Sequence, residues 1–370
     1  MTPGERALAR VYLDAVRRNC ERLQLLLADG AQLCAVVKAD GYGHGAAECA
    51  RAAQEGGAAW LAVATAGEAA DLRHGGIEGR VLVMGALTAA DTRTAIDAEA
   101  DLVVSDRRFL DSIPARAAHP VSVHVKLDTG MGRLGAKDPE EARALIDQAD
   151  SAPGVELTGL MTHFATADEP GDLYFAAQLE RFRGFVGDLG ERADTLLVHA
   201  ANSAATFRDR ACHFDMVRCG VAIYGLDPFG EDPRPRGLDP ALGLESYVAA
   251  VKRFEPGDSA GYGRLWTAVE PTFVATIPIG YGDGWRRALT NDCDVLVRGR
   301  RRPLVGAVSM DNVTIDVGPE TDVEPGDAAV LIGAQGEERI LCEEVARRLG
   351  TINYEVVCGL GPRVTRRHER

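Results

Sequence analysis

The sequence predicts an α/β protein in which an N-terminal (β/α)8 TIM barrel is followed by a mostly antiparallel β domain. Three observations carry this expectation. Short apolar runs alternate with amphipathic stretches about eight times in roughly the first 225 residues, which fits a closed barrel better than an open doubly wound sheet. A segment rich in proline, glycine and charge, residues 227–237, then interrupts the pattern. Beyond it the apolar runs turn short and β-type, divided by turns such as Glu255-Pro256-Gly257-Asp258 and Glu324-Pro325-Gly326-Asp327. A dinucleotide fingerprint at a strand-to-helix turn is absent, which further demotes an open nucleotide-binding sheet. The expected domains are 1–232 for the barrel and 233–370 for the β domain.

In chain order, an amphipathic helix is expected over 12–28, with Val16, Leu23 and Leu27 facing inward. A buried strand follows and ends at Lys38. Strands are then expected at 60–64, 81–84, 102–105, 121–127, 157–163, 196–199 and 216–224. Helices are expected at 66–73, 88–97, 139–149 and 173–189 between them. The β domain is expected to hold runs at 247–254, 271–279, 295–297, 313–317 and 328–332, with one helix near 341–349.

Composition narrows the function. The chain has 370 residues and a net charge of -14, which argues against nucleic acid or an anionic membrane as partner. Its eight cysteines show neither a CxxC pair nor a metal-type spacing, so they read as small core residues in a reducing compartment. The first ten residues contain no apolar signal core, and no run approaches the roughly 20 apolar residues of a membrane span. A cytoplasmic protein without a metal site is expected.

The chemistry centres on residues 35–45, Ala-Val-Val-Lys-Ala-Asp-Gly-Tyr-Gly-His-Gly. A lysine at the carboxyl end of a barrel strand holds its stem in the core and its amine in the ligand pocket. Burial disfavours the ammonium and suits the free amine to Schiff-base chemistry, the plain alternative being a solvated, snorkelling side chain. Other polar residues also follow apolar strands: His163, then Asn202 and Ser203, then Arg218 with Gly220 and Val221. Singly they also read as a core histidine, a helix N-cap at Ser203, a surface arginine and a turn glycine. Their shared place at one barrel face groups them. A second motif at a strand end runs Lys126-Leu127-Asp128-Thr129-Gly130-Met131-Gly132-Arg133.

The segment Val-Val-Lys-Ala-Asp-Gly-Tyr-Gly-His-Gly resembles the cofactor-lysine motif of the alanine racemases, and the resemblance extends over nearly the whole chain. It implies pyridoxal 5'-phosphate carried on Lys38. It also implies a phosphate site of Tyr42, Ser203, Tyr354 and the backbone of Gly220 and Val221, with His163 and Asn202 around the cofactor. Hydroxyls and backbone amides at a turn form a neutral anion cradle, and glycine permits close approach. Arg218 matches the arginine that faces the pyridine nitrogen. A guanidinium neither accepts nor surrenders a proton near neutrality, so the ring drains less charge and proton return is favoured. Barrel decarboxylases of similar architecture carry a glutamate there.

The resemblance further implies two bases, Lys38 and Tyr262, on opposite faces of the substrate carbon. Substrate contacts would come from Arg133, Met310, Asp311 and Tyr281, and Lys126 matches a lysine that many members carry as a carbamate orienting the arginine. Tyr262 and the β-domain residues would reach the lysine of a partner subunit, making a homodimer with shared sites. The implied reaction interconverts L- and D-alanine and supplies D-alanine for peptidoglycan. The alternatives are a racemase of broader or different substrate such as serine, a decarboxylase of the same fold, or a non-catalytic cofactor-binding regulator, against which the β domain weighs. Ala307 and Gly261 depart from the arginine and serine common at those places, and Cys358-Gly359-Leu360 departs from the usual tail.

Overall fold

The computed structural model describes residues 5–115 and 119–370. The chain divides into two compact units, Val16–Ile223 and Tyr224–Arg370, the second joined by the N-terminal segment up to Ala15. The division therefore falls after Ile223, not after Asp232 as composition suggested. The reason is anchoring. The 227–237 loop is tied to the second unit through Asp227, whose N–H donates to Glu343 (2.9 Å) and whose carbonyl accepts from the Asn353 side chain (2.8 Å). Composition marks a loop but not the body that holds it.

The first unit is the expected closed barrel. Its strands are β2 (Gln32–Val36), β3 (Trp60–Val63), β4 (Arg80–Val83), β5 (Asp101–Val104), β6 (Val121–Lys126), β7 (Val155–Met161), β8 (Leu197–His199) and β9 (Met216–Cys219). Successive strands pair in parallel, and β9 returns to β2 with Cys34 opposite Arg218. Strands β3, β5 and β9 are buried along their whole length, as a parallel sheet covered by helices requires. The helix starts are set by local chemistry. Thr65 and Glu68 form a capping box at the helix Ala66–His74, and Thr88 and Asp91 do the same at Ala89–Asp97. Asp138 caps Pro139–Ser151, which opens with proline at its first position. The expected strand at 216–224 ends earlier, because Val221–Tyr224 is a short 3-10 turn.

The second unit is mostly antiparallel, as expected. Its main sheet runs β16 (Arg300–Pro303), β15 (Asp294–Val297), β18 (Ala328–Gln335), β10 (Leu242–Tyr247), β1 (Leu8–Tyr12) and β20 (Thr365–Glu369), with β19 (Glu338–Ile340) on β18. A second sheet holds β11 (Ala250–Phe254), β14 (Thr272–Ile277) and β17 (Val313–Gly318), and β12 (Ser259–Ala260) pairs with β13 (Trp266–Thr267). The apolar run expected at 247–254 is split between two sheets. Strand β1 has no local signal. It exists because β10 pairs with it antiparallel and β20 parallel. The helix expected from residue 12 accordingly starts at Leu13.

Barrel interiors are ordinarily filled by layers of branched apolar side chains. Here His124, His199 and Arg218, all buried, occupy that space from β6, β8 and β9. Gly159 on β7 makes room for them, since a Cβ there would collide with the His124 ring. Gly159→Ala should therefore lower stability by about 1–3 kcal/mol through overpacking. Gly184→Ala, in the helix Tyr174–Leu189 with open space around it, should instead be neutral or stabilising by up to about 1 kcal/mol. Thermal unfolding of the two variants, compared with the parent, checks the contrast.

Candidate active site

Lys38 stands two residues beyond the end of β2, and the backbone that follows it turns left-handed. Ala39, Asp40, Gly41 and Tyr42 have φ of 52°, 51°, 60° and 53°. Three of these are not glycine, so the turn costs roughly 3–6 kcal/mol at about 1–2 kcal/mol per residue. A strained turn of this kind persists only where surrounding groups over-determine it. Glu68 is the chief of them. Its carboxylate accepts from the Ala39 N–H (2.7 Å), the Ala64 N–H (2.7 Å) and the Thr65 N–H (3.1 Å), joining the lysine loop to the next strand end. Asp40 adds a second clamp, its carboxylate accepting from Ala46 N–H (3.0 Å) and its carbonyl from Gly45 N–H (2.9 Å). His44 Nδ1 lies 3.0 Å and 2.9 Å from the Gly41 and Tyr42 carbonyls, closing the turn before the helix Ala46–Glu55.

This turn brings the buried Tyr42 against the β9 end. A Cβ at Gly220 would collide with the Tyr42 hydroxyl, so glycine is required for that approach. Ser203 Oγ accepts from Gly220 N–H (3.0 Å) and Ala222 N–H (3.4 Å). The N-cap of the helix Ser203–Arg208 is Asn202, which accepts from Ala205 N–H at 2.9 Å, and not Ser203. Tyr42, Asn202, Ser203, Gly220 and Val221 thus meet as hydroxyls and backbone amides at adjoining strand ends. Such a neutral donor set, around a glycine that admits close approach, fits a phosphate.

Arg218 is enclosed. Its Nη1 donates to His199 Nδ1 (2.7 Å), and its Nη2 faces the Thr162 carbonyl (2.8 Å), the Ala200 carbonyl (3.0 Å) and His163 Nδ1 (3.2 Å). Burial pulls its pKa down to about 10, which leaves the guanidinium charged at neutrality. Burial first, and then the charges of Arg218, Lys126, Arg133 and Lys38, hold His163 well below the ordinary imidazole range. Lys126 is pulled to about 8, chiefly by burial and then by Arg218 and Arg133. Lys38, Lys126, Arg133 and Arg218 are therefore gathered around a neutral His163 as one electropositive group in a chain of net charge -14.

The loop that carries Arg133 is folded around Asp128. Its carboxylate accepts from the N–H groups of Gly130 (2.9 Å), Met131 (2.7 Å), Gly132 (2.8 Å) and Arg133 (3.2 Å). Partial burial opposes the charge, but these four donors outweigh it and hold the carboxyl below its usual range. Arg133 itself is exposed at the loop's end. Buried Gln178 ties this loop to the β7 end, donating to Thr129 Oγ1 (3.3 Å) and the His163 carbonyl (3.2 Å).

In the second unit, Tyr262, Tyr281 and Met310 are exposed, Tyr262 at 73% of its surface. Tyr281 N–H donates to the Ser309 carbonyl (3.0 Å) and Gly282 N–H to the Met310 carbonyl (2.9 Å), pinning the two loops together. Arg363 bridges buried Asp283 (2.9 Å) and Asp311 (2.7 Å), and Arg6 donates to the Asp311 carbonyl (3.0 Å). Gly261, Tyr262, Ala307 and Ser309 line one shallow depression of about 410 Å³. Tyr354 is half-buried on the helix Asn353–Cys358, whose first residue is fixed to Glu343 (3.0 Å).

Sequence reading missed Glu68, His199, His124 and Gln178. Glu68 was visible only as a helix-capping residue, and the others sit in runs that read as ordinary strand or helix. Seven cysteines are buried and Cys358 is exposed; burial pushes the Cys34 thiol up to about 12, in keeping with core residues. Among the described residues no cluster of metal-binding side chains occurs, and no helix is long and apolar enough to cross a membrane.

A (β/α)8 barrel with a donor cradle and an electropositive group at its strand ends, continued by an antiparallel β unit, defines a two-unit barrel enzyme. Residues 11–228 match the family described as alanine racemase, N-terminal domain, and residues 241–368 match alanine racemase, C-terminal domain. The chain belongs to the alanine racemase family. It is 44% identical to the alanine racemase of Geobacillus stearothermophilus over 98% of this chain and 94% of that protein. Identity to alanine racemase 1 of Bacillus subtilis is 40%, over 97% and 92%. Among solved structures, the alanine racemase of Streptomyces lavendulae superposes with a TM-score of 0.94 at 38% identity, covering 100% of this chain and 98% of that one. That of Bacillus anthracis with bound L-Ala-P gives 0.92 at 37%, covering 100% and 96%.

Two outcomes follow from the loop anchors. Glu68→Ala should lower stability by about 1–3 kcal/mol, since it leaves backbone N–H groups of the left-handed turn without their acceptor. Hydrogen exchange at Ala39 and Ala64 should accelerate with it, and unchanged protection there would remove the anchoring role. Asp128 has a depressed carboxyl pKa, so its contribution is present above the unfolded value near ~3.9 and is lost as pH falls through the folded one. Asp128→Asn should therefore be less stable than the parent at neutrality, and the difference should vanish in strong acid, as denaturant melts across pH will reveal.

Proposed function

We propose that the protein interconverts L- and D-alanine with pyridoxal 5'-phosphate, by a two-base mechanism, and so supplies D-alanine for peptidoglycan in the cytoplasm. The observation that carries this reading is Arg218: a buried, charged guanidinium, held by carbonyls and imidazoles, among strand-end residues that fit a phosphate. Full-length identity above 40% to alanine racemases supports the same assignment.

The residues divide the work as follows. Tyr42, Ser203, Tyr354 and the amides of Gly220 and Val221 would hold the phosphate, with His163 and Asn202 beside the cofactor and Lys38 bearing it. Bound pyridoxal phosphate supplies an electron sink that acidifies the α-proton of an amino acid. Arg218, which only donates and stays charged near neutrality, would face the ring nitrogen and would leave it unprotonated, which would limit side reactions such as decarboxylation. Lys38 Nζ takes or returns the α-proton on one face, and the phenol oxygen of Tyr262 does so on the other. Tyr262 is assigned from a partner subunit, and its exposure, with that of Leu265 and Val269, supports a homodimer in which this face is covered. The cationic group around Lys38 stabilises an anion at the substrate carboxylate, and Arg133 is suited to bind it bidentately. Met310, Asp311 and Tyr281 bound the substrate side and favour a small side chain. Lys126, with a pKa near 8 and a neutral amine available close to neutrality, is suited to carbamylation, which would turn it into an anion that orients Arg133.

Two substitutions test the assignment. Lys38→Ala should abolish the visible absorbance of the cofactor-loaded protein and racemisation together. Tyr262→Phe should keep the colour and slow racemisation by ~10²–10⁴-fold, one direction more than the other. Activity in both variants at the parent's level removes the two-base assignment, and a stronger rate on serine than on alanine in a substrate panel replaces the substrate. Sedimentation of a fully active monomer removes the shared site.

A further inference from the structure

The barrel interior holds a hydrogen-bonded line running from one end of the strands to the other. At its inner end Arg218 Nη1 contacts His199 Nδ1 (2.7 Å). His199 Nε2 contacts His124 Nδ1 (2.7 Å), and His124 Nε2 contacts the Asp101 carboxylate (3.3 Å). Asp101 opens β5, and the half-exposed Arg80 side chain pairs with it at 2.7 Å while lying over the Trp60 ring. Trp60 meets His124 edge-on, with centroids 5.7 Å apart. His124, His199 and Arg218 are all buried.

The two ends dictate every proton in this line. A guanidinium only donates, so His199 Nδ1 must accept and its proton must sit on Nε2. That proton is donated to His124 Nδ1, which must then be bare, so His124 also carries its proton on Nε2. The last proton points at a carboxylate, which only accepts. Two neutral imidazoles fill three links with none left over. Protonating either ring would set two N–H groups against each other. Burial lowers both histidines, His199 well below the ordinary range with the Arg218 charge adding to it, which agrees. Among the described residues the partners of the Arg218 side chain are two carbonyls and two imidazoles, none of them a carboxylate. Asp101 is the anion at the far end of that chain of contacts.

We propose that Asp101, acting through His124 and His199, is a positioning residue for Arg218: it fixes both imidazoles as Nε2–H tautomers and so keeps an acceptor turned to the guanidinium. Gly159, where a Cβ would strike the His124 ring, is part of the same device. The proposal rests on the role given to Arg218 above, but its first readout does not.

The test is ¹⁵N NMR of histidine-labelled, full-length, cofactor-loaded protein, read beside racemisation kinetics. In the parent, His124 and His199 should each show one protonated nitrogen, Nε2, without titrating between about pH 5.5 and 8.5. Asp101→Asn should mix the tautomers of both rings and lower kcat by ~10-fold, with KM for alanine within about twofold. Asp101→Glu, which keeps the carboxylate, should restore much of both. An Nδ1–H signal or a titration at either ring in the parent overturns the proposal, even where the Asn variant does not fold. A folded Asp101→Asn protein with the parent's kcat overturns the link to Arg218 while leaving the racemase reading intact. Absence of racemisation in the parent, with the tautomers as expected, strikes the racemase reading alone.

Discussion

A guanidinium sealed inside a parallel barrel has to be solvated by the protein itself. Taking an ion out of water costs several kcal/mol even after relaxation, so such a group needs acceptors around it. Arg218 meets this with two backbone carbonyls freed at the ends of β7 and β8 and with two imidazole nitrogens. Those imidazoles accept only while they are neutral, which the same burial and the same positive charge ensure. The cation therefore creates the condition for its own solvation. The packing of the interior follows from it: polar rings where a barrel ordinarily holds Val or Ile, and a glycine on β7 to admit them.

The second constraint is in the backbone. A left-handed turn of four residues, three of them with a Cβ, is costly, and it places Lys38 and Tyr42 on either side of one short span. Its acceptors are all local or one strand away. Glu68 serves both as a helix cap and as the clamp on Ala39, so the helix start and the lysine loop form one unit of stability. Asp128 does the same for the loop that ends in Arg133. In each case an anion is consumed in folding backbone. That leaves Lys38, Arg133 and Arg218, together with Lys126 in its unmodified form, as the net charge of the strand ends, in a protein that is acidic overall. Such an arrangement draws anions to one place and repels them from most of the surface.

Much of this was legible in advance. The alternation of apolar and amphipathic runs is a periodic, local signal, and it placed β3, β4, β6 and β8 within a residue or two. The glycine spacing after Lys38 is likewise local, whereas the caps at Thr65 and Thr88 emerged only from the structure. Strand ends in a parallel barrel all face one way, so polar residues that follow apolar runs could be grouped before any coordinates existed. Reading failed where partners are distant. Nothing in Leu8–Tyr12 marks it as a strand of the second unit, because β10 and β20, its pairing partners, lie more than two hundred residues along the chain. The break between β10 and β11 fell inside one apolar run for the same reason: which sheet each half joins depends on partners and not on composition.

Whereas Arg218 lies within β9 and not beyond it, the sequence by itself determined the class of fold, the strand-end placement of Lys38, His163 and Ser203, and the family through its motifs. These are encoded in spacing along the chain, where a period or a cap acts within a few residues. Only the tertiary structure decided the left-handed course of residues 39–42, the unit to which the N-terminal strand belongs, and the line from Asp101 to Arg218. Each of these is a choice between conformations or proton positions that a residue's neighbours in sequence leave nearly equal in energy. Contacts from distant strands, made only when the barrel closes, are what separate them.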